Sequence, residues 1–172
     1  TLVFAPEVKP SEGLEFTLNA DVNSYSVTGI GTCADTEVVI PSAYNGLPVT
    51  GIGDRAFSCC GRLTNVTIPG TVTSIGDYAF FGCGSLASIV IPDSVTAIGN
   101  GAFRECVKLS SATLPKGIKR ISKEAFHKCY WLTNITIPNS VEAIEAWAFR
   151  ESGLKNLTIP ESVSSIEDSA FY

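Results

Sequence analysis

The chain has 172 residues, 45% of them apolar and 17% charged, enough to bury a core and too apolar for a disordered tail. Twelve basic residues face 17 acidic ones, a net charge of −5, so no global attraction draws it to nucleic acid or to an anionic membrane. No run of about 18 apolar residues occurs, so neither a transmembrane helix nor membrane insertion is expected.

The opening residues, TLVFAPEVKPSEG, hold no basic start, no long apolar run and no methionine, and Met is absent throughout. This reads as a mature or excised piece whose signal peptide is gone. Residues 1–13 read as a linker or loose N-terminal segment. In residues 14–30, LEFTLNADVNSYSVTGI, the runs FTLN and YSVTGI flank ADVNS, which predicts a hairpin with a polar turn. Asn45 and Gly46, within SAYNGLPVT, predict a second turn.

From there a period governs the chain. Pro69, Pro92, Pro115 and Pro138 fall 23 residues apart, and Pro160 follows after 22. Phe57, Phe80, Phe103, Phe126, Phe149 and Phe171 keep the same beat, each preceded by Ala. Further apolar columns run through Val66, Ile89, Ala112, Ile135 and Leu157; Ile68, Ile91, Leu114, Ile137 and Ile159; Val72, Val95, Ile118, Val141 and Val163; Ile75, Ile98, Ile121, Ile144 and Ile166; and Leu63, Leu86, Leu109, Leu132 and Leu154. In LTNVTIP, Val66 and Ile68 alternate with Asn65 and Thr67, as in a half-buried strand. One such unit cannot bury its apolar side alone, so the units must stack as coils sharing one core. Each Pro lacks an N–H and marks where strand pairing stops. The stretches GDYAF, GNGAF, SKEAF and EAWAF predict a turn entering a short helical turn around AFxxC.

The pattern IPxSVxxIgxxAFxxCxxLxxvt resembles the BspA-like, or Treponema pallidum-type, leucine-rich repeat over residues 38–172. The resemblance implies a leucine-rich-repeat solenoid with a parallel β-sheet and short helical or 3-10 turns, here in about five to six rungs. It also implies a secreted or surface-attached protein, mostly bacterial, used for adhesion or protein binding, with no shared catalytic residues. Residues 14–47 then form an N-terminal β-hairpin cap, and 48–172 the solenoid. Ending just after Phe171, the sequence shows no capping segment, so the native chain is expected to continue or a partner to cover the last coil.

Cys60, Cys83, Cys106 and Cys129 each follow a Phe by three residues, with Ser152 in the fifth place. A metal site needs ligands converging on one point, whereas these form a ladder of small buried groups able to hydrogen-bond backbone weakly. Cys33 and Cys59 lie off this ladder. The lone histidine, His127, is expected outward and solvated among lysines, out of reach of Cys129. No nucleophile elbow, phosphate loop or HExxH is present. No catalytic residue, cofactor or metal ligand is assigned, and no enzyme is expected.

Two surface features remain. Arg104, Lys108, Lys116, Lys119, Arg120, Lys123 and Lys128 concentrate positive charge, opposed in that stretch only by Glu105 and Glu124. Stacking is expected to set Lys116 and Lys119 beside Asn139 and Glu142 of the next coil. The aromatic residues Tyr78, Phe81, Tyr130, Trp131 and Trp147 occupy columns otherwise filled by Ser, Gly, Glu or Lys, and Tyr and Trp are favoured at binding hot spots. The candidate partner-binding residues are therefore Phe81, Arg104, Lys108, Lys119, Arg120, Lys123, Lys128, Tyr130, Trp131 and Trp147. The reading is a monomeric, non-enzymatic extracellular module that binds a protein or glycan, or else a structural spacer in a larger cell-surface protein.

Overall fold

The computed structural model describes residues 9–172; of the linker read over 1–13, residues 1–8 lie outside the described part. The first elements are β1 (Glu15–Leu18) and β2 (Tyr25–Gly29), antiparallel partners in the expected hairpin. Its polar turn is held by Asp21, whose carboxylate accepts from the Asn23 N–H and the Ser24 hydroxyl. After β3 (Glu37–Val39), a second, smaller hairpin joins β4 (Ala43–Tyr44) to β5 (Leu47–Ile52). Asn45 and Gly46 make its turn with φ of 48° and 79°, the double left-handed pair that a two-residue hairpin needs. Because β2 also pairs in parallel with β5, the first hairpin is both lid and first rung: β1 covers the edge that β2 would otherwise expose.

Each later coil adds a strand to one or both of two faces. The three-residue strands are β6 (Asn65–Thr67), β8 (Ser88–Val90) and β10 (Ser111–Thr113); β3 pairs with β6 and β8 with β10, all parallel. The two-residue strands are β7 (Ser74–Ile75), β9 (Ala97–Ile98), β11 (Arg120–Ile121), β12 (Ala143–Ile144) and β13 (Ser165–Ile166). They stack as β5-β7-β9 and β11-β12-β13. The registers Ile52↔Ile75↔Ile98 and Ile121↔Ile144↔Ile166 show the sequence period as direct adjacency.

The third face departs from expectation. No helix forms among the described residues; the segment around each Phe is a chain of hydrogen-bonded turns. Ser58 and Cys60 donate backward within the coil, to Arg55 and Phe57, whereas Arg55, Phe57 and Cys59 donate across to Asp77, Ala79 and Phe81 of the next coil. The cause is alternating handedness. Arg55, Tyr78, Gly101, Glu124 and Trp147 all have φ between 55° and 61°, and Cys59, Gly82, Glu105, Lys128 and Glu151 are likewise left-handed. A left-handed residue inserted every few positions prevents a right-handed helix from propagating, and it aims alternate N–H groups along the stack.

Inside, Phe57, Phe80, Phe103, Phe126 and Phe149 are fully buried. Their rings lie nearly parallel with centroids 5.2 to 5.5 Å apart, and Phe171 extends the stack; offset stacking at this spacing is favourable. The Ala before each of Phe57, Phe80, Phe103, Phe126 and Phe149 is buried too, leaving room for the cross-coil N–H bonds.

Candidate binding surface

The turn face is built from columns of side chains that the left-handed residues push outward. Tyr78 and Trp147 share one column, Phe81 and Arg104 the next, and Lys128, Tyr130, Lys108 and Trp131 follow toward the rim. Lys123 borders the same face: its ammonium lies 5.3 Å from the Trp147 ring centroid, and Arg150 covers the same ring at 5.5 Å. The Arg104 guanidinium sits 5.9 Å from the Phe81 ring, which packs edge-on against Tyr78. Lys119 and Arg120 do not join this group. They stand on the sheet of two-residue strands, where Lys119 reaches Glu142 at 2.7 Å and Arg120 reaches Glu145 at 3.4 Å.

Much of the positive charge read along the chain is therefore answered by carboxylates, most of them on neighbouring coils. Asp93 meets Lys116, Glu105 meets Arg104 and Lys128, and Glu124 meets Arg104. The backbone N–H and the ammonium of Lys116 hold the Asp93 carboxyl below its ordinary range. What remains prominent is aromatic: Tyr130 is 50% and Trp131 61% exposed. The reason is local. Between Cys129 and Leu132 stand two residues, between Ser152 and Leu154 only one, so the fifth coil has no counterpart to Trp131 and leaves its flank uncovered. Gly153 takes the shortcut, donating its N–H to the Cys129 carbonyl, and a Cβ there would collide with the Tyr130 carbonyl oxygen.

His127 corrects an expectation. Far from solvated, it is 6% exposed. Its Nδ1 lies 3.9 Å from Glu124 and its Nε2 3.5 Å from Glu151. Glu124 is itself buried and bridges to Arg104. Sequence reading missed this charged cluster, because Glu124 and Glu151 occupy columns that hold Tyr78, Gly101 or Gly82 in other coils. The period was the available signal: Glu124 and Glu151 flank His127 once the coils are stacked.

The thiol ladder forms over three of its four expected members; Cys60, at the first coil, is only half-buried and its thiol turns to the Ser58 carbonyl of its own turn. Cys83, Cys106 and Cys129 are buried, and each donates to a Phe carbonyl one coil back, at 3.0, 3.1 and 3.2 Å. Burial pushes the Cys83 and Cys106 thiols well up and that of Cys129 up to about 12, so none is a nucleophile at neutral pH. Cys33, Cys59 and Cys60 line one cavity of about 280 Å³ between residues 30–35 and 59–63. Cys60 is raised by burial and by its two neighbours, and all six cysteines are free. Among the described residues no cluster of His, Cys, Asp and Glu is arranged to hold a metal ion, and no helix is long and apolar enough to cross a membrane.

Parallel coils, a stacked Phe column and a variable outer face define a leucine-rich-repeat solenoid. Residues 50–172 match the BspA type leucine rich repeat region in six copies, and the chain belongs to that family. Among solved structures it is similar to the Treponema pallidum leucine-rich repeat protein, with 28% identity, TM-score 0.78, and 93% of this chain and 86% of that one covered. It is also similar to a leucine rich cell surface protein of Faecalibacterium prausnitzii A2-165, with 33% identity and TM-score 0.70, covering 98% of this chain and 52% of that one. A leucine-rich repeat protein of Eubacterium ventriosum aligns with 26% identity and TM-score 0.68, over 85% of this chain and 45% of its own. The chain thus spans about half the length of the latter two. No curated protein matches it in sequence.

Proposed function

We propose that this chain is a monomeric, non-enzymatic binding or adhesion module of the cell surface that engages a partner through its turn face, centred on Tyr130 and Trp131. In this reading residues 14–47 are the cap and 48–172 the unit that displays the face. The observation that carries it is the exposure of two adjacent large aromatic side chains at a rim where the next coil is one residue short. Aromatic anchors accompanied by Arg and Lys fit binding hot spots, and here Arg104, Lys108, Lys123, Lys128, Phe81 and Trp147 belong to the turn columns of the same or neighbouring coils. Lys119 and Arg120 form a second, paired set on the adjoining sheet. The 33% identical neighbour described as a cell surface protein supports the location.

The test is a binding screen of the purified chain against extracellular proteins and glycans, followed by Tyr130→Ala with Trp131→Ala. Loss of the captured interaction, with an unchanged melting curve, is the expected result. Retention of full affinity in the double variant would overturn the turn face as the binding surface, and capture of no partner at all would favour a structural spacer.

A further inference from the structure

The sheet formed by β8 and β10 does not continue into residues 134–136 and 156–158, although the Phe stack runs on beneath them without a gap. The ladder is interrupted between β6 and β8 as well, but here two features of the sequence coincide with the break. Ala112 stands in a column otherwise filled by Val66, Ile89, Ile135 and Leu157, so the wall is thinner there. The fifth coil, one residue shorter, is drawn in at Gly153, whose N–H bonds the Cys129 carbonyl just before this face begins. The result is a depression of about 480 Å³ lined by Asn134, Thr136, Asn139, Asn156 and Thr158 over a floor that includes Ala112. That volume falls in the range of small-molecule sites.

From its chemistry we infer that this depression is a binding site for a neutral oligosaccharide. No ionisable side chain lines it, so nothing in it would pair with a charged ligand. Its polar groups are three carboxamides and two hydroxyls. A carboxamide offers two donors and an acceptor, and a hydroxyl offers both roles. Adjacent sugar hydroxyls present the same mixed donors and acceptors, and carry no charge. Asn134, Thr136, Asn156 and Thr158 are exposed, and the segments bearing them lack the backbone pairing that would close the depression. Trp131 stands three residues before Asn134 in the chain and is exposed, so its ring is free to serve as a platform for the apolar face of a pyranose. An extended peptide would ask for a long free strand edge, which segments this short do not offer.

The site goes beyond the proposed adhesion surface and fails or stands separately from it. The test is titration of the full chain with maltotriose, cellotriose and triacetylchitotriose, read by side-chain amide NMR signals of Asn134, Asn139 and Asn156 and by calorimetry, with an anionic hyaluronan tetrasaccharide and an alanine-rich extended peptide as comparisons. Saturable shifts of those amides by at least one neutral sugar, with Kd of about 0.1–1 mM, are expected. Asn134→Ala with Asn156→Ala should weaken binding by about tenfold or more, with the melting curve unchanged because both side chains are exposed. Trp131→Ala should weaken it less. No saturable shift with any neutral sugar, equal affinity in the double Asn variant, or preference for the peptide or the anionic sugar would each overturn the inference. A protein partner lost with Trp131→Ala but kept with the double Asn variant would separate the two surfaces.

Discussion

The thiol of Cys106 donates to the carbonyl oxygen of Phe80 across 3.1 Å, the same oxygen that accepts the Cys83 N–H at 3.2 Å. The ladder thus serves as a second hydrogen-bonded seam, running along the stack inside the core. Thiols suit it because they are small and accept burial. A buried thiol also resists ionisation, and that has a pH signature. The folded value of Cys129, about 12, lies above the ordinary value of 9. The contribution of the neutral thiols is therefore fully present below pH 9 and is lost as pH rises through the folded values. Urea midpoints are expected to hold from pH 7 to 8.5 and to fall steadily above 9. Replacing Cys83, Cys106 and Cys129 together by Ser should flatten the decline; an unaltered slope would remove the thiols as its cause.

Alkylation should sort the six cysteines by depth. Cys59 is exposed and Cys33 and Cys60 half-buried, whereas Cys83, Cys106 and Cys129 are buried. With iodoacetamide at pH 8 and mass spectrometry, Cys59 is expected to modify first and the three core thiols only on unfolding. Rapid native labelling of Cys129 would contradict the ladder and revive a nucleophile.

The 23-residue beat made much of this legible, because in a solenoid sequence distance converts directly into adjacency. It placed the Phe rings in one stack, aimed Cys106 and Cys129 inward, and set Lys119 beside Glu142. The hairpin of β1 and β2 was readable from its polar turn. The turn face was not. Its left-handed positions hold Arg55, Tyr78, Glu124 and Trp147, residues with no intrinsic liking for positive φ; the cross-coil bonds of the assembled stack impose it. His127 was misplaced for a related reason. Its burial comes from the carboxylates on either side of it and its stacked neighbours, and no single coil shows them all. The Asn-lined depression hides in what is missing: the small side chain of Ala112 and the residue absent before Leu154.

Phe103 lies between Phe80 at 5.3 Å and Phe126 at 5.4 Å and is fully buried. Phe103→Ala should cost about 3–5 kcal/mol, from lost burial and the cavity left between two fixed rings. Phe171, with one ring neighbour and 43% exposure, should cost about 1 kcal/mol when truncated, since much of its surface already meets water. Denaturant unfolding of both variants checks the ordering; equal costs would mean the last coil is packed as tightly as the centre.

Gly101 has φ of 57°, and a Cβ there would sit 2.4 Å from the Tyr78 ring. The ring of one coil fills the space that the glycine of the next leaves empty. Gly101→Ala must move that ring and adopt an unfavourable backbone, for about 1–3 kcal/mol of destabilisation. At Gly117 no heavy atom lies within 4 Å of a built Cβ, and Gly117→Ala should be neutral or stabilise by up to about 1 kcal/mol. Calorimetric melting of the pair provides the comparison.

Arg104 bridges buried Glu124, which in turn faces buried His127. Removing the cation leaves a carboxylate in the interior with no full counter-charge. Arg104→Ala should therefore destabilise by about 2–3 kcal/mol, at the lower end for a broken buried pair because the guanidinium is partly solvated. Arg104→Ala combined with Glu124→Gln removes the orphaned charge as well, so the double variant should be less destabilised than the sum of the singles by about 1 kcal/mol. A double-mutant cycle by urea unfolding at pH 7 measures that difference, and strict additivity would show that Glu124 finds its compensation elsewhere, at His127.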